Sequence, residues 1–581
     1  MTPTPRSLLA LALLCSSVYS QNPTGCQKAL EQYCSSYHPK GGTDVAKCLE
    51  CVDKKWDKLK NNCTREKAEY KCTSTEPAPP GPSPSPLPPV PPAPDLPPLQ
   101  PIAGAPRPHL VLFVVDDMGW AALGKHNPGN VLTPNMDREA TVGILLERHY
   151  AYRWCSPSRS SLMTGRLPYH VLQDTNYVDR RFNMMAAKLK QVGYSTHQFG
   201  KWHMGAVASW MTPHARGFDS SLGYLTGAED HYTQLIKSDE MGGAGVDLYQ
   251  TDRPAYGLNG TYASYTYNEA ILETISKAEH NKSIPLFLYI ALQVMHAPEE
   301  VTEQFQSLYD PSKYISNYAV YNGMGAAADS LFGNVTQAMK DYGMWNHTLL
   351  LMTSDNGGPT AEQVTGGNAN NWPLRGGKQT EFEGGVRVNA FLAGGFVPQG
   401  LRGSTLDGYM HLCDWYATFL PLAGADATDD HPGVPSVDGL DLWPYITGKV
   451  PQSPRTEMML SNLVKKGEVQ TAALIVNNYK LILGVQIYGF WQGPVYPNAS
   501  TDHKHEDPID CTTGCVFDII KDPTEHQELS ESMPGVKAML MARFAELNVT
   551  TYQAPKFPLD TAKCESYVAS HRGFVGPYYG E

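Results

Sequence analysis

Residues 110–117 read L-V-L-F-V-V-D-D, an uninterrupted apolar run that ends on two aspartates. Such a run is typical of a strand that is covered on both faces of a parallel sheet. Three further strand candidates follow along the chain: Tyr194–Phe199, Leu286–Leu292 and Leu349–Thr353. Residues 183–192 have helical spacing and stop at Gly193. Strands that alternate with helices in this way predict an α/β fold.

Polar side chains follow each predicted strand at its carboxyl end. They are Asp116 and Asp117, Lys201 and His203, His296, and Asp355 and Asn356. Taken singly, Asp-Asn-Gly-Gly is an ordinary turn and a lone histidine is usually structural. Ligands of open α/β sheets bind at the carboxyl ends of the strands, so we expect all of these side chains to meet in one crevice. The oxygen donors among them suit Ca²⁺ or Mg²⁺ rather than Zn²⁺ or Cu²⁺, and calcium is favoured in a secreted protein.

Residues 155–165, C-S-P-S-R-S-S-L-M-T-G, predict a short helix. Ser156 is the expected N-cap, Pro157 suits the first helical position and Gly165 ends the helix. Cys155 then lies where free backbone N–H groups attract an anion, and Arg159 points to the same place one turn later. A lone cysteine at a capped helix is usually structural, so the pattern alone indicates only an anion site that contains sulfur.

The composition indicates which binding partners and which location, inside or outside the cell, suit this protein. The 581 residues carry 46 Lys and Arg against 58 Asp and Glu, a net charge of −12, which argues against nucleic acid as the main partner. Residues 1–20 have the pattern of a secretory signal peptide, and no other apolar stretch has membrane length, so we expect no membrane span. Seven N-glycosylation sequons fit a secreted glycoprotein: Asn62, Asn259, Asn281, Asn334, Asn346, Asn498 and Asn548.

Cysteine and proline usage divides the chain. Six of the twelve cysteines lie between Cys26 and Cys72, which predicts a small disulfide-rich module over residues 21–75. A proline-rich linker is expected over 76–108, a catalytic domain over 109–450 and a C-terminal subdomain over 451–581. Without Cys15 of the signal and Cys155, ten cysteines remain available for disulfides. The architecture suggests that the module tethers the body to a matrix or wall.

The chain resembles the type I, formylglycine-dependent sulfatases from about residue 109 to residue 450. C-S-P-S-R followed by T-G matches the family signature, in which a dedicated enzyme oxidises the cysteine, here Cys155, to a formylglycine aldehyde before folding. Five further segments match as well: V-V-D-D-M-G-W at 114–120, G-K-W-H-M-G at 200–205, M-H-A-P at 295–298, S-D-N-G-G at 354–358, and W-P-L-R-G-G-K at 372–378 with E-G-G-V-R at 383–387. F-D-I-I-K-D-P-T-E-H at 517–526 resembles the C-terminal segment of the family.

The resemblance implies a residue-by-residue assignment of the site. One Ca²⁺ is expected on Asp116, Asp117, Asp355 and Asn356, with position 155 completing the ligand set. Arg159, Lys201 and Lys378 are implied as sulfate contacts. His203 is implied as the base that deprotonates the formylglycine hydrate, and His296 or Lys378 as the acid for the leaving oxygen.

The implied fold is that of alkaline phosphatase, with a large mixed sheet flanked by helices and a smaller C-terminal sheet. The implied activity is hydrolysis of O-sulfate esters, and the expected substrates are sulfated sugars or polysaccharides. Residues 223–232 and 366–378 look most like the arylsulfatase B (N-acetylgalactosamine-4-sulfatase) branch. A phosphate or phosphonate ester hydrolase and a catalytically silent protein that binds sulfated glycans remain as alternatives. Secretion is the expected location, with the lysosome as the alternative.

Overall fold

The computed structural model describes residues 97–580 except 172–176, 281–282, 311, 314–315, 362–363, 365, 466, 496–506 and 553. The chain divides into two compact units, Met1–Pro91 and Pro92–Glu581. The predicted signal peptide, the cysteine-rich module and most of the linker lie outside the described residues. All that follows concerns the second unit.

The strands of this unit are numbered in chain order. They are β1 His109–Val115, β2 Ile144–Leu146, β3 His149–Tyr150, β4 Ser195–Lys201, β5 Ser220–Tyr224, β6 Leu235–Ser238, β7 Gly243–Val246, β8 Tyr249–Gln250, β9 Arg253–Pro254, β10 Leu286–Leu292, β11 Thr348–Ser354, β12 Ala390–Ala393, β13 Ser404–Leu406, β14 Met410–His411, β15 Glu457–Lys465, β16 Glu468–Val476, β17 Tyr479–Gln486 and β18 Ile509–Asp518. The four strands predicted from the sequence are β1, β4, β10 and β11, each within two residues of its expected bounds.

The helices pack around these strands. They are α1 Pro134–Val142, α2 Cys155–Thr164, α3 Pro168–Val171, α4 Met185–Gln191, α5 Ala263–Glu279, α6 Glu303–Gln306, α7 Ser316–Asp341, α8 Glu383–Val386, α9 Asp414–Ala423, α10 Trp443–Ile446, α11 Pro534–Asn548 and α12 Thr561–Ser570. Helix α4 confirms the helix predicted before Gly193, whose φ of 80° is the left-handed conformation that ends a helix. Among the described residues, every helix is too short or too polar to cross a bilayer.

A mixed sheet of ten strands organises the body within the described residues, in the order β13-β2-β12-β11-β1-β10-β4-β5-β8-β9. Its centre, β11-β1-β10-β4-β5, is parallel throughout, so the carboxyl ends of these strands share one edge. The alternation of side chains along β1 divides the core between the two faces of the sheet. Leu112 packs on the face covered by α2, α4 and α9, and Phe113 packs on the face covered by α5 and α7.

A second, antiparallel sheet forms the C-terminal part, in the order β15-β16-β17-β18. Helix α11 covers it and buries Leu540 and Phe544 against the strands. This arrangement confirms the predicted fold class, a large mixed sheet flanked by helices together with a smaller C-terminal sheet.

Three details differ from the sequence-based expectations or refine them. Cys511 and Cys515 form a disulfide, but Cys413 and Cys564 are buried and unpaired, so not all of the ten available cysteines are used in disulfides. The end of the predicted linker lies against the body, where the Ile102 N–H donates to Gly424 O at 2.9 Å. Of the predicted glycosylation sites, Asn259, Asn334 and Asn346 are exposed and Asn548 is half-buried (the other three lie outside the described residues).

Candidate active site

The carboxyl ends of β11, β1, β10 and β4 bring the predicted site residues together. The Lys201 Nζ atom, at the end of β4, lies 2.5 Å from Asp116 Oδ2, which directly follows β1. The His296 Nε2 atom, after β10, lies 3.8 Å from Asp117 Oδ2. The Asn356 Nδ2 group, after β11, donates to Asp117 Oδ1 at 2.7 Å. Four neighbouring strands thus build one buried cluster, as the strand-end argument predicts.

Helix α2 places Cys155 in this cluster, but its cap differs from the prediction. The helix begins at Cys155 with Trp154 as its N-cap residue, so Ser156 is not the cap. The Ser156 hydroxyl donates instead to His203 O at 2.7 Å, a partner distant in sequence that replaces the local capping bond. Gly165 ends the helix with a φ of 70°, as predicted. The Cys155 Sγ atom lies 3.4 Å from Asp116 Oδ1, at the open N-terminus of the helix.

Arg159 is fully buried beneath the carboxylates. Its Nε and Nη2 atoms lie 2.9 Å and 2.8 Å from Asp355 Oδ2, and Nη2 lies 3.6 Å from Asp116 Oδ2. Burial raises the pKa of Asp355, but Arg159 and then Lys201 outweigh it, so that the carboxyl is held below its usual range and ionised. The geometry therefore gives Arg159 a role in orienting Asp355 in addition to the predicted sulfate contact.

Lys378 is the second buried lysine of the cluster. Its Nζ atom lies 2.8 Å from the Asp117 carboxylate. This pairing offsets the effect of burial, so the pKa of Lys378 is raised and that of Asp117 is lowered. For the Cys155 thiol, burial raises the pKa, but Lys201 and Lys378 bring it below the usual value. The site is therefore a pair of adjacent aspartates, Asp116 and Asp117, each in contact with one buried lysine.

The donor set fits a divalent cation. Side-chain donor atoms of the predicted ligands Asp116, Asp117 and Cys155 lie within 4.8 Å of one another, together with His296, whereas the predicted ligand Asp355 is not part of this group. The pKa of Asp116 is raised to about 8, first by burial and then by Asp355 and Cys155, so this carboxyl needs an added positive charge to ionise fully. Within the described residues, the Asn356 Oδ1 atom is buried without a hydrogen-bond partner. An orphaned amide oxygen among carboxylates is what a hard cation would satisfy.

The sequence of this chain matches a known protein family. The family model for sulfatases matches residues 108–425, more than half of the chain. Arylsulfatase J of Mus musculus is 32% identical over 515 residues, which cover 82% of this chain and 81% of that protein. The chain belongs to the sulfatase family. N-acetylgalactosamine-6-sulfatase of Mus musculus is a further relative, 31% identical over 367 residues that cover 59% of this chain and 67% of the relative.

Solved structures share the fold of this sulfatase. Ps i-CgsB, solved in complex with k-i-k-neocarrahexaose, has a TM-score of 0.65 at 24% identity and covers 80% of this chain and 97% of its own. The phosphonate monoester hydrolase of Agrobacterium radiobacter has a TM-score of 0.54 at 18% identity, covering 77% of this chain and 96% of its own. Together with the family match, these likenesses place the sulfatase among the sulfuric ester hydrolases of alkaline-phosphatase-like fold. The arylsulfatase B branch stays a prediction.

Three residues of the sulfatase site were not predicted from the sequence. The Glu240 Oε1 atom lies 3.0 Å from His203 Nε2. The Tyr321 hydroxyl donates to Asp117 O at 2.7 Å, and the Tyr289 hydroxyl lies 3.4 Å from Arg159 Nη1. None of the three directly follows a predicted strand or belongs to a matching segment, so only the fold brings them to the site.

Proposed function

We propose that this sulfatase hydrolyses O-sulfate esters of a carbohydrate outside the cell, with residue 155 as a formylglycine and with one bound Ca²⁺. The observation that carries the proposal is the position of Cys155. It lies at the N-terminus of α2, 3.4 Å from Asp116, in a cluster that also contains Lys201 and Lys378. The conversion of Cys155 would be the work of a formylglycine-generating enzyme during biosynthesis.

The cation would be held by the four oxygen-donor residues Asp116, Asp117, Asp355 and Asn356, with residue 155 adjoining. When bound, it supplies positive charge that lowers the cost of bringing a sulfate group next to buried carboxylates. The lysines contribute in the same direction, because Lys201 lies against Asp116 and Lys378 against Asp117, where each would add positive charge next to a bound sulfate. Calcium fits this oxygen-rich set, as expected for a secreted protein.

The reaction proceeds by transfer of the sulfuryl group to residue 155, followed by elimination of sulfate. One hydroxyl of the formylglycine hydrate attacks sulfur and gives its proton to Asp116, the carboxylate next to residue 155. The S–O bond to the alcohol breaks, and the alcohol oxygen takes a proton from His296 or Lys378. His203 then removes the proton of the second hydroxyl, the C=O bond forms again, and sulfate leaves with the electron pair of its C–O bond. Serine or cysteine has no second hydroxyl, so either would stop at the sulfated enzyme.

The nucleophile is tested by two variants of one position. In Cys155→Ala we expect kcat on a sulfate ester to fall by about 10³-fold or more, because no covalent step is left, while the circular dichroism spectrum is unchanged. In Cys155→Ser we expect a stable sulfated protein after one turnover. Full activity of the alanine variant would contradict the proposal.

The alternative of a phosphate or phosphonate ester hydrolase is tested by competition. Aryl sulfate and matched aryl phosphate and phosphonate esters are offered together, and kcat/KM is compared. We expect the sulfate ester to be preferred. A preference for either phosphorus ester would replace the proposed substrate class, and binding of sulfated glycans without any turnover would indicate the silent binding protein.

The carbohydrate part of the proposal draws on the relatives and on the sequence. One relative is named for N-acetylgalactosamine 6-sulfate, and one solved neighbour holds a neocarrahexaose. The signal-like segment and the seven sequons favour secretion. A desulfation panel of 4- and 6-sulfated N-acetylgalactosamine, sulfated polysaccharides and simple aryl sulfates tests the substrate class. Turnover of the aryl sulfates alone would contradict it.

A further inference from the structure

His203 is held from two sides by its backbone. Its N–H donates to Leu225 O at 3.2 Å, and its carbonyl accepts the Ser156 hydroxyl at 2.7 Å. Its φ of 55° lies in the left-handed region, which a non-glycine residue adopts at a cost that such contacts offset. The backbone of His203 is therefore fixed to the start of α2, but the imidazole ring still needs partners to set its orientation and protonation.

Glu240 is the partner of the ring. It lies in the turn between β6 and β7, and its Oε1 atom is 3.0 Å from His203 Nε2. A carboxylate only accepts hydrogen bonds, so Nε2 carries the proton of this contact. Partial loss of solvation raises the pKa of Glu240, but the charge of His203 and then the hydrogen bond between them outweigh it, so the pKa is lowered. Within the described residues, the buried Nδ1 atom has no hydrogen-bond partner and is left to accept a proton.

The neighbouring backbone leaves room for the contact between His203 and Glu240. A Cβ on Gly227 would lie 2.7 Å from His203 Cε1 and 3.1 Å from Glu240 Oε1, so only glycine leaves room for both side chains. The Glu240 N–H donates to Ser238 Oγ at 3.1 Å, which fixes the turn from within. The contact therefore depends on a turn and a glycine that accommodate it.

The end of the chain holds the hairpin of β6 and β7 in place. The Val246 N–H donates to Gly573 O, and the Val575 N–H donates to Val246 O, both at 2.9 Å. A Cβ on Gly243 would lie 2.7 Å from Cys564 Sγ, so the hairpin packs directly on α12. Glu240 is thus carried by an element that is anchored independently of the catalytic strands.

We propose that Glu240 is a positioning residue that holds His203 with Nε2 protonated and Nδ1 free to act as the base of the reaction. This inference rests on the proposed function, in which His203 releases sulfate from the enzyme. In that step the second hydroxyl gives its proton to Nδ1, the C=O bond forms, and the C–O bond to sulfate breaks with its electron pair on the departing sulfate. The Glu240 carboxylate stabilises the imidazolium, which afterwards passes its proton to water.

The test compares Glu240→Gln and Glu240→Ala with the wild type. Both remove the negative charge, so sulfate release should slow and kcat should fall by about 10–100-fold, the usual effect of losing an orienting partner. The sulfated form of residue 155 should then accumulate, which acid quenching and peptide mass spectrometry detect. Glu240→Asp should recover part of kcat. The neighbouring exposed Asp239→Asn, which removes a charge from the same turn, is the matched control and should leave kcat unchanged.

The outcomes separate this inference from the proposed function. If the wild type turns over sulfate esters and Glu240→Gln does so at an equal rate, the role of Glu240 is refuted and the proposed function stands. The Glu240 side chain is 40% exposed, so a direct contact with substrate is the rival. That rival predicts a raised KM with kcat unchanged and no sulfated enzyme, which would also overturn the inference. If the wild type itself has no sulfatase turnover, the proposed function fails first.

Discussion

At the scale of single residues, the site combines buried carboxylates with strained backbone conformations. Asp116, Asp117 and Asp355 bring three carboxylates to one buried place, and Asp117 and His203 have φ values of 56° and 55°. Such conformations persist where surrounding contacts over-determine them. At Asp117 one such contact is the Tyr321 hydroxyl, which donates to the carbonyl of that residue at 2.7 Å.

Asn356→Ala tests the cation site. The variant removes the one buried amide oxygen of the proposed ligand set, so we expect Ca²⁺ to bind about tenfold or more weakly. The measurement is the melting temperature across a Ca²⁺ titration after chelation, since a cation bound only by the folded state stabilises it by an amount that rises with the logarithm of its concentration above the dissociation constant. The exposed Asn478→Ala is the control. Equal Ca²⁺ dependence in both variants would remove Asn356 from the ligand set.

Site residues could be predicted from the sequence where they follow a predicted strand, but not where they lie elsewhere in the chain. Asp116 and Asp355 were predictable because each comes within two residues of the end of a predicted strand. Glu240 was not, because it lies in a hairpin turn and meets His203 only through the folding of β6 and β7. The Ser156 cap was wrong because His203 O, a partner distant in sequence, takes the hydroxyl that local rules assign to the helix end.

At the scale of elements, a buried charge cluster joins the C-terminal sheet to the segment that carries Lys378. The Lys480 Nζ atom, on β17, lies 3.0 Å from Glu383 and 2.9 Å from Glu525. The Glu383 N–H, at the start of α8, donates to Glu525 Oε2 at 2.6 Å. Two carboxylates share one lysine, and the pKa of Glu525 is raised to about 7, first by burial, which outweighs Lys480, and then by Glu383.

Glu525→Gln tests how far this charge cluster lowers the free energy of unfolding. A raised pKa means that the folded state keeps a proton that the unfolded state loses above pH 4.5, so stability falls as pH rises from 4.5 to about 7 and then levels off. Integrated over that window, Glu525 removes ~3 kcal/mol from the free energy of unfolding. We expect the variant to show a shallower decline, measured by urea unfolding at several pH values. A slope equal to those of the wild type and of the exposed control Glu531→Gln would contradict the assignment.

The elements themselves were predictable to different degrees. Strands β1, β10 and β11 are buried throughout, and largely apolar runs reveal them. Strand β4 is half-buried at Ser195 and His197, and its sequence mixes polar and apolar residues. The cluster of Lys480, Glu383 and Glu525 has no such signal, because its members are separated by many residues and pair only when the second sheet packs. The unpaired Cys413 and Cys564 were equally hidden, since parity of a cysteine count carries no information on distance.

At the scale of the whole molecule, every proposed catalytic residue lies in the compact unit Pro92–Glu581. A chain that starts at residue 92 should therefore keep kcat and KM on a small sulfate ester within about twofold, because no site residue is lost. The measurement is steady-state kinetics of the truncated and full-length proteins on the same aryl sulfate. A large loss of kcat in the soluble, folded truncated protein would show that the N-terminal part takes part in the reaction.

The central claim concerns the chemical identity of residue 155. It is tested most directly by peptide mass spectrometry on protein from its native secretory source, reading the tryptic peptide Trp154 to Arg159. We predict the mass of an aldehyde in place of the thiol, which would establish the nucleophile and leave the substrate as the next question. An unmodified cysteine throughout would contradict the account, because this reaction requires the hydrate.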